Sequence, residues 1–280
     1  MKIEDFHGKV CWITGASSGI GAALTASLNN LGARLIISAR TVENLQLVKS
    51  KCKKPENVVM LSCDMEALNS LPDNALRAWN TFNHIDYVFL NAGLAVRDLV
   101  VDTDFEIVKK ILTINFLSSV LITKTLLPLM IPRQSGCFIV TSSLSGKYGI
   151  PKLAAYSAAK HALHGFFESL RAEHDKDGIK ITILIPGLVK TNISMNALKG
   201  DGSPYGRMQE SIETGISPEK CSVQIIKAVA QGKNEALIGG LEIYSVILNR
   251  FFPALLSFSM RNHPVKKLRK LGFFKKARRA

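Results

Sequence analysis

A short apolar run, Lys9 to Thr14, passes straight into Gly15-Ala16-Ser17-Ser18-Gly19-Ile20-Gly21, and Ala22 to Leu31 follows with the look of a helix. A buried strand, a glycine loop and a helix in this order restrict the chain to few folds. Gly15 suits a tight turn, Gly19 lets backbone approach a ligand, and Gly21 allows close helix packing. The helix start then offers unpaired N–H groups and the positive end of a dipole, which together attract a phosphate. An ordinary glycine-rich βα turn is the plainer alternative. The fit of both flanks favours dinucleotide binding.

Further strands are expected at Arg34–Ser38, Asn57–Ser62, Ile85–Leu90, Cys137–Ser142 and Ile179–Ile185, with an edge strand at Glu235–Ile238. Helical spacing fills Phe105 to Leu129, and a helix carrying Tyr156 runs to about His174. Ser217-Pro218 reads as the cap and first residue of another helix. Alternating strands and helices over this length predict an α/β fold. It is a single Rossmann-type, doubly wound parallel sheet with helices on both faces, over residues 1–240. Such sheets bind ligands beyond the carboxyl ends of their strands. Gly15, Asn91-Ala92-Gly93, Ser143 and Pro186-Gly187 all follow strand ends, so they are expected at one edge.

The end of the second strand carries Ala39-Arg40, where NAD-binding units place an acidic residue for the ribose hydroxyl. A guanidinium there suits a 2′-phosphate, which points to NADP(H); a solvated loop charge is the alternative. Asp64 can bind an adenine amino group or cap the next turn. Asn115 lies among Ile111, Leu112, Ile114, Phe116 and Leu117, a costly place for an amide unless it is paired.

Tyr156 and Lys160 stand four residues apart in an alanine-rich segment, hence on one helical face. A free phenol has a pKa of about 10. A cation held beside it is expected to lower that value and make an acid–base pair. Ser143, thirteen residues upstream, can hydrogen-bond the same reacting oxygen. A tyrosine at the core edge beside a solvated lysine is the plain alternative.

Basic residues number 36 and acidic residues 22, a formal net charge of +14. Nine of the basic residues, and no acidic one, fall in 261–280, so the body is only mildly basic. Before them, 241–260 is mostly apolar but broken by Glu242, Asn249, Arg250 and Pro253. An apolar stretch followed by a basic run fits an anchor on an anionic membrane surface. A helix packed on the domain or on a dimer partner, with a solvated tail, is the competing reading. Nucleic acid is a weaker partner, because no second basic face or aromatic platform accompanies the tail. Five scattered cysteines, an odd number without Cys-x-x-Cys spacing, argue against a disulfide framework and a structural zinc site. The start, Met1-Lys2-Ile3-Glu4-Asp5, has no apolar secretory region, so a cytoplasmic protein with peripheral membrane association is expected.

The ordered set Thr14-Gly15-Ala16-Ser17-Ser18-Gly19-Ile20-Gly21, Asp64, Asn91-Ala92-Gly93, Asn115, Ser143, Tyr156-x-x-x-Lys160 and Pro186-Gly187 resembles the short-chain dehydrogenase/reductase family over roughly residues 8–240. The resemblance implies a Rossmann fold and NAD(P)-dependent oxidoreduction. It makes Tyr156 the acid–base residue and Lys160 the holder of the nicotinamide ribose. Ser143 would orient the substrate oxygen, and Asn115 would support a proton-relaying water. Val189 and Thr191 join Pro186 and Gly187 as cofactor neighbours, and Ser38-Ala39-Arg40 looks like NADP(H)-preferring members. Dimers or tetramers through the helices at 105–129 and 156–174 are implied. The loop at 188–217, with Met195, Leu198, Tyr205 and Met208, would close over a lipophilic carbonyl or alcohol substrate. A non-catalytic dinucleotide-binding regulator is the rival function; it has no need of an intact Ser143, Tyr156 and Lys160.

Overall fold

The computed structural model describes residues 6–261. The basic runs at 266–270 and 275–279, on which the membrane reading partly rests, lie outside the described residues.

Seven parallel strands form one sheet: β1 (Val10–Thr14), β2 (Arg34–Ala39), β3 (Val58–Ser62), β4 (Tyr87–Leu90), β5 (Gly136–Thr141), β6 (Ile179–Pro186) and β7 (Glu235–Ile238). Their order is β3-β2-β1-β4-β5-β6-β7. The direction of winding reverses between β1 and β4, where Trp12 lies between Ile36 and Val88. That reversal opens a crevice at the strand ends, the usual ligand position in such sheets.

Side chains alternate across a strand, so each strand feeds two cores. On one face Cys11, Ile13, Leu35, Ile37 and Ile139 pack with Leu24 and Leu28 of α1 (Gly19–Asn30), Leu45 of α2 (Val42–Ser50) and Ile225 of α8 (Pro218–Ala230). On the other, Val10, Trp12, Ile36, Val88 and Phe138 meet α3 (Leu71–Phe82), α5 (Ser118–Met130) and α6 (Ala154–Glu173). Near-continuous apolar strands are what a sheet covered on both sides requires. Buried Trp12 still pairs its ring N–H, donating to Ser38 Oγ at 2.7 Å.

The expected single helix over 105–129 is divided. It runs as α4 (Phe105–Leu112), a π turn over Thr113–Leu117, then α5. The cause is Asn115: its Nδ2 donates to Leu94 O at 2.8 Å and to Ile111 O at 2.9 Å, and its Oδ1 accepts from Leu94 N at 3.2 Å. A buried amide pulled toward the loop after β4 widens the helix by one residue. By length and hydropathy, Phe105–Arg133 could cross a membrane, but Ile111, Ile114, Ile122 and Leu126 are buried in the protein cores. Apolarity here serves packing.

Four-residue α7 (Glu210–Glu213) lies in the loop beyond β6, and the helix after Ser217 forms as expected, with Ser217 Oγ accepting from Lys220 N at 3.2 Å. After β7, a turn at Leu241–Tyr244 leads to α9 (Ser245–Phe251) and α10 (Pro253–Arg261). This stretch is not detached. Leu256 is buried with Leu144, Tyr148 and Ile185, while Leu241, Tyr244, Ile247, Phe251, Phe252, Leu255 and Phe258 remain exposed. All five cysteines are free and buried. Burial pushes the thiols of Cys137 and Cys221 up to about 12, so neither is a reactive thiolate at neutral pH.

Candidate active site

The glycine loop is built by close approach. Gly15 has φ +65°, and a Cβ there would stand 2.7 Å from Ala92 Cα. A Cβ at Gly21 would stand 2.3 Å from Gly15 O, so the helix can begin this near the turn only with glycine. Gly19, at φ +54°, faces Thr191, whose Cγ2 would lie 3.0 Å from an added Cβ. The Pro186–Thr191 run therefore reaches back over the loop. Ser17 and Ile20 are partly buried and Ser18 is exposed. Ser18 caps α1 without a side-chain hydrogen bond, and no acidic residue lies in the first turn. The first-turn N–H groups thus stand ready for an anion, a fit for the pyrophosphate of a dinucleotide.

Thr14, the last residue of β1, ties this loop to β4. Its hydroxyl donates to Phe89 O at 3.1 Å and accepts from the N–H groups of Asn91 (3.0 Å) and Ala92 (3.1 Å). Asn91 Nδ2 returns to Thr14 O and Gly15 O at 3.1 and 3.3 Å. A Cβ on exposed Gly93 would sit 2.8 Å from Asn115 Oδ1 and 3.6 Å from Lys160 Nζ, so these three positions converge.

Arg40 is exposed at the end of β2. Asp64 is half-buried and accepts from Glu66 N at 3.0 Å, so one of its oxygens already caps a turn. Pro186 and Val189 are buried, and the Val189 side chain belongs to the core. Only the backbone of Val189 remains for a ligand.

Ser143, Tyr156 and Lys160 do come together. Ser143 follows β5 and hydrogen-bonds the Tyr156 hydroxyl. Lys160 Nζ lies 5.5 Å from the centre of the Tyr156 ring and donates to Thr141 O at 2.8 Å. The expected acidic phenol is not found, however. Burial pushes Tyr156 up to about 12 against the bond from Ser143, and burial also pushes the Lys160 ammonium down to about 7. In a site this closed, desolvation outweighs attraction between the two charges. Closure comes from the loop after β6: Ala197, Ile193, Leu198 and Tyr205 pack over Tyr156 with Ala95 and Val96.

Against this geometry, sequence comparison is decisive. A model of the family described as short chain dehydrogenase matches residues 9–202. The chain belongs to the short-chain dehydrogenase/reductase family. It is 36% identical over 267 residues to the Drosophila melanogaster "Dehydrogenase/reductase SDR family protein 7-like", covering 92% of this chain and 81% of that one. A short-chain dehydrogenase from Streptomyces avermitilis superposes with TM-score 0.77 at 23% identity, over 93% of this chain and 98% of the other. A Burkholderia phymatum family member crystallised with NAD gives 0.76 at 19% identity, over 93% and 96%. These two structures support the fold. Family membership makes the chain an oxidoreductase that uses a nicotinamide dinucleotide.

The roles of three residues at this site escape sequence reading. Thr14 and Thr141 are ordinary strand-end threonines until the strands pair. Glu242 lies far along the chain, yet its Oε1 accepts from Leu188 N and Gly240 N, each at 3.0 Å, and holds the loop after β6.

The lysine gives a pH test. In the unfolded chain Lys160 titrates near 10.5 and in the folded one at about 7. Between these values the unfolded state binds the extra proton, so stability rises with pH, and ionisation of Lys160 weighs against folding below that window. Without cofactor, Lys160→Met is expected to be more stable than the parent at about pH 6, with the gap closing toward about pH 10. Urea midpoints across that range check this; a gap independent of pH contradicts it.

Proposed function

We propose that this dehydrogenase/reductase is an NADP(H)-dependent reductase of lipophilic carbonyl compounds, able to oxidise the corresponding secondary alcohols in reverse. The observation that carries the reading is the convergence of Ser143, Tyr156 and Lys160 beneath an apolar cover of Ala95, Val96, Ile193, Leu198 and Tyr205. The phenol supplies a proton at the place where a carbonyl oxygen would lie beside the Ser143 hydroxyl.

A bound nicotinamide supplies the hydride, or accepts it in the oxidative direction. Tyr156 protonates the substrate oxygen as charge grows there. Ser143 donates a second hydrogen bond to that oxygen. Lys160, anchored on Thr141 O, holds the ribose of the nicotinamide and leads the replacement proton inward. Asn115 spends both amide hydrogens on Leu94 O and Ile111 O and accepts from Leu94 N, which leaves one Oδ1 lone pair, beside Gly93, for a proton-relaying water. The N–H groups around Ser17, Ser18, Gly19 and Ile20 receive the pyrophosphate, with Asn91, Ala92 and Gly93 along the adjoining floor and Thr191 above. Asp64 meets the adenine. Arg40, exposed with Ala39 and not a carboxylate before it, meets the 2′-phosphate.

Tyr156→Phe is expected to lower turnover by about 10²–10⁴-fold while NADPH still binds. Undiminished turnover of a true substrate by this variant ends the assignment; failure of every carbonyl in a broad panel favours the regulator reading. Arg40→Ala is expected to raise the KM for NADPH about tenfold or more and to leave NADH use unchanged. Equal effects on both cofactors contradict NADP(H) preference.

We also propose that the exposed face of α9 and α10 rests on an anionic membrane surface, with the protein associating as a dimer or tetramer through its long helices. Seven large apolar side chains between Leu241 and Phe258 are exposed. Beyond them the sequence supplies a run of Lys and Arg, each worth about 1 kcal/mol near such a surface. Exposed Phe105 on α4 and Leu117 in the π turn that follows it support self-association. A protein with both Phe251→Ser and Phe252→Ser is expected to lose sedimentation with anionic liposomes while keeping its fold and its light-scattering mass. Liposome binding unchanged by both substitutions counts against the membrane face, and a monomer mass for the parent counts against the assembly.

A further inference from the structure

Behind Ser143 and Lys160 lies a cluster that the reaction above does not use. His164 sits on α6 one turn beyond Lys160, Glu168 lies one turn further, and Glu235 opens β7. His164 is only 8% exposed. Its Nε2 is 2.9 Å from Ser142 Oγ, and that hydroxyl also donates to Lys160 O at 3.2 Å. A serine hydroxyl has one hydrogen, and a carbonyl can only accept it. When Ser142 Oγ donates to Lys160 O it accepts from His164 Nε2, the tautomer that a metal-bound Nδ1 requires. This leaves the Nδ1 lone pair, which has no hydrogen-bond partner, facing Glu168 Oε1 at 3.5 Å and Glu235 Oε2 at 3.8 Å.

A buried lone pair opposed to two carboxylates calls for positive charge between them. A proton is one source, but burial and the nearby Lys147 ammonium push His164 below the usual histidine range, against the pull of Glu235 and Glu168. We propose that His164, Glu168 and Glu235 bind a divalent transition cation of the Zn²⁺ class. One imidazole with two carboxylates is a donor set of that class and a poor one for Mg²⁺. Ligand bonds of about 2.1 Å put tetrahedral donors about 3.4 Å apart. The two histidine–carboxylate separations, 3.5 and 3.8 Å, are close to this, and all three donor atoms lie within 4.8 Å of one another. The side chains of Glu168 and Glu235 are 52% and 38% exposed, which gives them freedom to close and gives the ion a way in. A fourth position is left for water. Ser142 fixes the imidazole tautomer from behind, as partners of metal-bound histidines do. Lys147, now paired with Glu235, is the cation that the metal displaces. Once bound, the ion ties α6 to β7 directly behind the catalytic serine and lysine.

The test is calorimetric titration of ZnCl₂, and separately MgCl₂, into the metal-free full chain. One equivalent of Zn²⁺ with no Mg²⁺ binding is expected. Glu168→Gln, a half-exposed change that leaves the fold intact, is expected to weaken Zn²⁺ by about tenfold or more. His164→Gln is expected to abolish stoichiometric binding. Lys147→Met is expected to tighten it, because a competing charge is gone. A parent protein without stoichiometric Zn²⁺ binding overturns the site, as does an affinity indifferent to both Glu168→Gln and Lys147→Met. Since binding heat is the readout, the result is independent of any turnover.

Discussion

The hydroxyl of Thr14 holds together the place where the sheet reverses its winding. β1 and β4 part there, and their outgoing loops must both leave unpaired backbone near a ligand. One threonine satisfies three backbone groups of the β4 end, and Asn91 completes the return to β1. Gly15 and Gly21 then take positions that no Cβ would permit. The polar groups of the crevice are paired with one another, which leaves the first turn of α1 as the open donor.

Asn115 does comparable work one layer away. It accepts a π turn in its own helix in exchange for holding Leu94 by both amide atoms. Leu94 begins the stretch that carries Ala95 and Val96 to the cover over Tyr156. A single buried amide thus couples the helix, the floor near Gly93 and the apolar roof. The same closure explains why Tyr156 and Lys160 are both driven toward their neutral forms. A dry site sets proton affinities by desolvation first, and by neighbouring charge second.

The C-terminal helices belong to this machinery as well as to the surface. Glu242 holds the loop after β6, Tyr148 OH meets Ser245 Oγ at 2.7 Å, and Asn249 Nδ2 donates to Lys147 O at 3.0 Å. The loops bordering Ser143 and Gly187 are therefore both fastened to a segment whose outer face is apolar and exposed.

Local sequence determined much of this protein. Period-two and period-3.6 patterns set the strands and helices, the glycine spacing set the first turn, and the i to i+4 spacing set Tyr156 beside Lys160 on one helical face. These are short-range consequences of backbone sterics, legible without a partner. Tertiary structure alone decided what distant contacts and burial control: the break in the helix at Asn115, the roles of Thr14, Thr141 and Glu242, the meeting of His164 with Ser142 and Glu235, and the push of burial on Tyr156 and Lys160. Each depends on which groups the fold brings together and how much water it leaves between them, and neither quantity is written in the order of neighbouring residues.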